Sequence, residues 1–343
     1  MQSPPPPGFR ARNGFDLIRL ILAVLVVYSH ARLVGGFGES WLQTATKNQI
    51  GIGILAVWGF FGLSGFLVSQ SFLASGRWLT FIRHRLLRIL PAFYIALILT
   101  AFVASPVIAW LRHADWHPLT AARFVMRNAG LRIQVSTIGS ELANLPCDTS
   151  LNGSLWSLFS EACCYGLVLV LGLTGALSRK PYELLLVTGM MFVVNALLAL
   201  PSPPYIPALP SFLVLSGDAP FVLAFLIGAC FQTYREKIIL GRSGAILFGL
   251  LSAAALKFGG WQVFGPVLFP ALILHLGHSF SLRLKVDLSY GIYLFHFPGQ
   301  QVLAAAGLIQ LGLFGFFLCS LVIAVFLASV SWFAIEQPAL RYK

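Results

Sequence analysis

The sequence predicts an all-α fold: a polytopic membrane bundle of about ten transmembrane helices. Three observations predict it. Of 343 residues, 58% are hydrophobic and 10% are charged, against roughly 25% charged in a soluble globular chain. Mean hydropathy is +0.84. Apolar runs of about 20 residues, the length that spans a hydrocarbon core, recur along the whole chain. A soluble chain could not cover so much apolar surface with 23 basic and 11 acidic residues. A transmembrane barrel would show short alternating segments instead.

The expected spans are 15–34, 50–72, 89–111, 155–177, 182–200, 213–233, 243–258, 260–279, 288–308 and 310–335. Arg10 and Arg12 precede the first, in a polar tail (1–14) that carries Pro4–Pro7 and no cleavable signal peptide. Arg32 lies at its outer end and Lys47 follows it, and the second span leads to a basic segment, Arg77 to Arg88. Between the third and fourth spans lies 112–153, the one stretch long enough for an extramembrane cap. Arg179 and Lys180 separate the fourth span from the fifth, and a proline-rich loop, 201–212, leads to the sixth. Arg235, Lys237 and Arg242 precede the seventh, which is short for a crossing because Lys257 closes it. Arg283 and Lys285 come before the ninth, and Arg341 and Lys343 lie in the tail 337–343.

With ten spans and both termini cytoplasmic, fifteen Lys/Arg fall inside and seven outside, Arg19 lying within the first span. Omitting the seventh span makes the split twelve against ten, so the positive-inside rule favours ten. The net charge of +12 therefore reads as membrane orientation, and nucleic acid is excluded as a partner. The five cysteines show neither a disulfide framework nor metal-ligand spacing, and His113/His117 lack a third ligand, so no metal is expected. The stretch 15–336 reads as a single transmembrane domain.

Ionisable groups inside spans need a partner, a watery cavity or a task. In the first span Arg19 and His30 are eleven residues apart, close to three full helical turns, so they share a face about 16 Å apart along the axis. Asp16 lies three residues before Arg19 and pairs with it on that face. His30 falls about 22 Å into a core of about 30 Å, in its outer third. It is either a helix-packing histidine or a general base.

The fourth span opens with Asn152-Gly153-Ser154-Leu155-Trp156-Ser157, good N-cap chemistry. Glu161 lies about 10 Å past Ser154, at the depth of His30, with Ser157 one turn earlier on its face. It is a packing carboxyl or the group that orients His30. Arg85 and Arg88, at i, i+3 beside a cytoplasmic span end, are orientation anchors or a phosphate clamp. Ser64 lies in the glycine-rich Gly59–Gly65 segment, which allows close helix approach or walls an acyl chain. Tyr293 and His296, also i, i+3, form a packing pair or line the substrate path. His275 and His278 fall near an inner span end and read as interfacial.

Taken in order, Phe15-Asp16-Leu17-Ile18-Arg19-Leu20 with His30, Phe60-Phe61-Gly62-Leu63-Ser64-Gly65, Arg85-Leu86-Leu87-Arg88-Ile89-Leu90-Pro91, Asn152 to Glu161, Leu288 to His296 and Ile335-Glu336-Gln337-Pro338 resemble the acyltransferase 3 family of membrane O-acyltransferases. The resemblance spans nearly the whole chain. It implies transfer of an acetyl or short acyl group from cytoplasmic acetyl-CoA to a hydroxyl of a surface or periplasmic glycan, lipopolysaccharide or lipid-linked saccharide, in the bacterial inner membrane. It implies catalytic roles for His30, Arg19 and Glu161, a CoA side formed by Arg85, Arg88 and Ser64, and acceptor binding by Trp156, Ser157, Tyr293 and His296. Membrane lipids are the remaining partner. Relatives sometimes carry an extra span and an esterase-like domain; the sequence given ends at Lys343 with neither, so transfer is expected to finish within the bundle. The competing classes are a transporter or flippase without chemistry, and an acyltransferase for a small molecule such as a macrolide.

Overall fold

The computed structural model describes residues 14–202, 217–279, 282, 284 and 286–342. The tail with Arg10 and Arg12, most of the proline-rich loop with the start of the sixth expected span, and Arg283, Lys285 and Lys343 lie outside the described residues. The described residues contain no strand. Helices α1 (Phe15–Val34), α2 (Ile52–Ser75), α3 (Trp78–Arg112), α4 (Pro118–Asn128), α5 (Ser157–Thr174), α6 (Pro181–Leu198), α7 (Ala219–Thr233), α8 (Arg242–Phe258), α9 (Trp261–Ser279), α10 (Ser289–Ala305) and α11 (Gly312–Ser331) follow in order. Among the described residues a helix overlaps each expected span. Six stretches among them are long and apolar enough to cross a membrane: α1, α2, α3, α5, α6 and the stretch Leu308–Leu340 that contains α11. The helix of the seventh expected span, α8, is 17 residues long.

The chain divides into two compact units. The first comprises Met1–Leu22, Ala45–Trp78 and Cys163–Asp287. Its tightest crossing is α2 against α7, where side chains are absent. A methyl on Gly65 would overlap the Phe225 carbonyl, and one on Gly228 would overlap the carbonyl of Gly62. The glycine-rich segment thus serves close backbone approach, and Ser64 lies within it. We expect Gly228→Val to lower stability by about 3 kcal/mol, the upper range for overpacking, in thermal unfolding in detergent. Gly189→Ala on α6, whose added methyl meets nothing within 4 Å, is expected to be neutral.

Asn195, 3% exposed, explains how α9 tolerates Pro266. A proline has no N–H to give the carbonyl four residues earlier. That carbonyl belongs to Gln262, and Asn195 Nδ2 donates to it at 3.1 Å. At the start of α1, Arg19 Nη1 lies 3.1 Å from Asp287 Oδ2 and 3.7 Å from Asp16 Oδ1; the expected Asp16 pairing holds, with Asp287 added. His275 departs from its interfacial reading. It is 4% exposed, packed against the Phe231 and Phe248 rings, and its Nδ1 accepts the Gly241 N–H at 3.2 Å. Position near a span end could not show those rings.

The second unit comprises Ala23–Thr44, Leu79–Ala162 and Leu288–Lys343. Here α10 and α11 meet at Gly291, whose missing side chain admits the Ala328 backbone. The segment 112–153 is held by its own hydrogen bonds and by bonds to the helices around it. Asn128 Oδ1 accepts the Gln134 and Val135 N–H groups while its Nδ2 donates to the Val135 carbonyl. Glu141, 1% exposed, accepts Ser105 Oγ at 3.1 Å and the Gly139 N–H at 2.8 Å. Gln301 Nε2 donates to the Cys147 and Ser150 carbonyls at 2.8 and 2.7 Å. Burial pushes the Cys147 thiol above its ordinary range, which disfavours the reactive thiolate.

Candidate active site

Helix α10 organises the second unit's polar groups. Its sequence contains Pro298, which leaves the Leu294 carbonyl without its helical donor. Asn152 Nδ2 supplies one at 3.1 Å. Asn152 Oδ1 in turn accepts Ser154 Oγ at 2.6 Å and the Ser154 N–H at 3.3 Å. Gly153 admits the Phe297 ring to a place its own Cβ would occupy. The polar run before α5 is therefore a plug docked on a proline-broken helix. Asn152 itself is buried, at 3% exposure.

This docking sets the start of α5. Ser157, its first residue, lies 2.6 Å through Oγ from the Tyr293 hydroxyl. Glu161 is one turn further along α5 and half-buried. Trp156 immediately precedes the helix and is half-buried. Three residues beyond Tyr293, His296 is 0% exposed.

His296 Nε2 lies 2.7 Å from His30 Nδ1. The two rings are inclined by 13° with centroids 5.0 Å apart. That separation is what five-membered rings give when joined edge to edge through such a bond, so the contact is in-line and not face stacking. His296 Nδ1 lies 3.0 Å from the Ile292 carbonyl. Phe297 packs its ring edge against His30 at 5.0 Å, and Gln300 Nε2 holds the Val27 carbonyl on α1 at 2.9 Å. His30 itself is partly accessible.

At the base of α10 stands the arginine end of the unit. Arg88 Nη1 lies 3.6 Å from Glu336 Oε2 and its guanidinium covers the Tyr290 ring at 5.4 Å. Tyr290 donates its hydroxyl to the Ile89 carbonyl at 2.9 Å, which fixes the ring under Arg88. Glu336 ends a π-helical turn, Trp332–Glu336, and accepts Ser331 Oγ at 3.2 Å. A second π turn, Thr100–Ala104, interrupts α3, and Asn152 Nδ2 reaches its Thr100 hydroxyl at 3.4 Å. Such turns mark distorted helix at functional sites. Arg85 packs over Phe81 at 5.9 Å. From Tyr290 to His296 is about 9 Å of helix rise.

Of the sequence-expected site residues, His30, His296, Ser157, Tyr293, Glu161, Trp156, Arg85 and Arg88 belong to this unit; Arg19 and Ser64 belong to the first. Sequence reasoning missed the joining of His30 to His296, the Asn152 repair of Leu294 and the partner of Arg88. Pro298 inside a span was the available signal for the second; a lone Glu336 near the last span was the signal for the third. Among the described residues no group of three or more potential metal ligands occurs.

Fold and site together define a helical membrane protein in which a partly accessible imidazole joins a buried one. Comparison with known proteins names the reaction class. The family model described as acyltransferase domain matches residues 12–333. The chain is 26% identical over 341 residues, 95% of each chain, to a protein named O-acetyl transferase from Shigella phage Sf6. It is 27% identical over 366 residues, 97% of this chain and 94% of the relative, to nodulation protein 10 of Rhizobium leguminosarum bv. viciae. No solved structure matches. The chain belongs to the acyltransferase 3 family and is a membrane O-acyltransferase.

Proposed function

We propose that this enzyme moves an acetyl group from cytoplasmic acetyl-CoA to a hydroxyl of a surface or periplasmic glycan, in the bacterial inner membrane. The observation that carries the reading is His30: partly accessible, yet tied by Nδ1 to the fully buried His296. A side chain so held offers its other ring nitrogen to substrate. His30 Nε2 takes the acceptor hydroxyl's proton as that oxygen bonds to the thioester carbonyl carbon. The C–S bond then breaks, and the departing CoA thiolate takes the same proton back from His30. Acetyl ester and free thiol are the products, and the base is restored.

Arg85 and Arg88 offer guanidinium groups suited to the donor's phosphates, with Ser64 on the CoA side as the family resemblance implies. The pantetheine arm of the donor runs towards His30. Tyr293, whose ring centroid lies 6.3 Å from that of His296, binds the acceptor with Ser157 and Trp156, while Glu161 stabilises the charge that His30 acquires and Arg19 supports the first span's histidine. The name of the phage relative, O-acetyl transferase, supports acetyl as the group moved.

The test is mass spectrometry of surface glycans from cells with and without the gene. The expected result is an acetyl mass difference that His30→Ala abolishes. Modification confined to a cytoplasmic small molecule overturns the acceptor assignment. Radiolabelled acetyl trapped on the protein without acceptor overturns direct transfer in favour of an acyl-His30 intermediate.

A further inference from the structure

We infer that His296 is the positioning residue of this site: it sets the tautomer of His30 and, through the bond it accepts from His30 Nδ1–H, steadies the imidazolium that His30 becomes. The inference rests on the reading of His30 as the base.

The argument begins at Ile292. A carbonyl oxygen only accepts hydrogen bonds. The 3.0 Å contact from His296 Nδ1 to the Ile292 carbonyl therefore places a hydrogen on Nδ1. In neutral imidazole the other nitrogen then carries a lone pair, so His296 Nε2 is an acceptor. The 2.7 Å bond to His30 must be donated by His30 Nδ1–H. By the same rule His30 Nε2 bears the lone pair. One backbone carbonyl thus determines, through two rings, which nitrogen of His30 is basic.

The remaining observations agree with that direction. His296 is 0% exposed, and burying a charge there is costly. His30 is the partly accessible ring, and among the described residues no hydrogen bond occupies its Nε2. When that nitrogen takes a proton, the Nδ1–H···Nε2 bond becomes charge-assisted and shortens towards His296. An acidic group serves this orienting role in serine hydrolase triads; here a second imidazole anchored by a carbonyl does so. Phe297, against both rings, keeps them coplanar.

Two isosteric substitutions separate this role from packing. The Gln side chain ends where His Nε2 lies, so His296→Gln keeps an oxygen acceptor for His30 Nδ1–H. The Asn side chain ends where His Nδ1 lies, so His296→Asn keeps the Ile292 contact and loses His30. With purified protein, acetyl-CoA and an acceptor glycan, His296→Gln is expected to retain kcat within about tenfold. His296→Asn is expected to lose about a hundredfold in kcat with KM for acetyl-CoA unchanged. Equal kcat in the two variants, or a loss confined to KM, overturns the inference. Nitrogen-15 histidine spectra of the unmodified protein give a check that needs no variant. His30 is expected to carry hydrogen at Nδ1 and a bare Nε2; the opposite tautomer overturns the inference. If His30→Ala retains activity, the reading of His30 as base fails instead.

Discussion

His30→Asn is expected to abolish acetyl transfer while leaving the protein folded. The Asn amide occupies the place of imidazole Nδ1, so its N–H can still donate to His296 Nε2 across the 2.7 Å contact. Nothing replaces Nε2, the nitrogen assigned to the acceptor's proton. General base catalysis contributes about 10²- to 10⁴-fold, and the expected loss in kcat is about a thousandfold. His30→Ala removes the same base but also leaves the Nε2 of a 0% exposed histidine without its donor. A buried acceptor so stranded costs about 1–3 kcal/mol. The two variants should therefore be equally inactive and differ in melting temperature, Asn being the more stable. Activity within tenfold of the parent in His30→Asn would remove His30 from the mechanism.

The contrast between Asp16–Arg19 and His30–His296 shows what the sequence carries. The first pair is i, i+3 on one helix, and helix periodicity reveals it. The second joins residues 266 positions apart, and no local pattern encodes which histidine meets which. Helix positions were legible because an apolar run of membrane length has one stable form in lipid. The plug at Asn152 was half legible. Its capping chemistry reads from the residue types, but its target, the Leu294 carbonyl freed by Pro298, depends on how α10 packs. His275 went the same way: position suggested an interface, while Phe231 and Phe248 enclose it. Glu336 was visible as a carboxylate at a span end, and only tertiary structure gives it Arg88.

That last pair allows a structural arginine to be told from one that binds donor. Glu336 is 3% exposed and Arg88 21% by side chain, with Nη1 and Oε2 3.6 Å apart. Arg88→Met keeps an unbranched stem for Tyr290 to cover but removes the guanidinium from a buried carboxylate. Breaking a buried pair on one side costs about 3–5 kcal/mol; Arg88 is partly solvated, so about 3 kcal/mol is expected. Glu336→Gln should cost less, because the guanidinium keeps solvent and the Tyr290 face at 5.4 Å. In the double variant Arg88→Met/Glu336→Gln the neutral amide no longer needs a cation, and most of the stability should return in thermal unfolding. Activity is the discriminating readout. If Arg88 holds the donor's phosphates, the double variant remains at least tenfold raised in KM for acetyl-CoA despite its recovered stability, with KM for acceptor unaltered. If the double variant regains both stability and acetyl-CoA affinity, Arg88 serves Glu336 alone, and Arg85 is left to meet the donor.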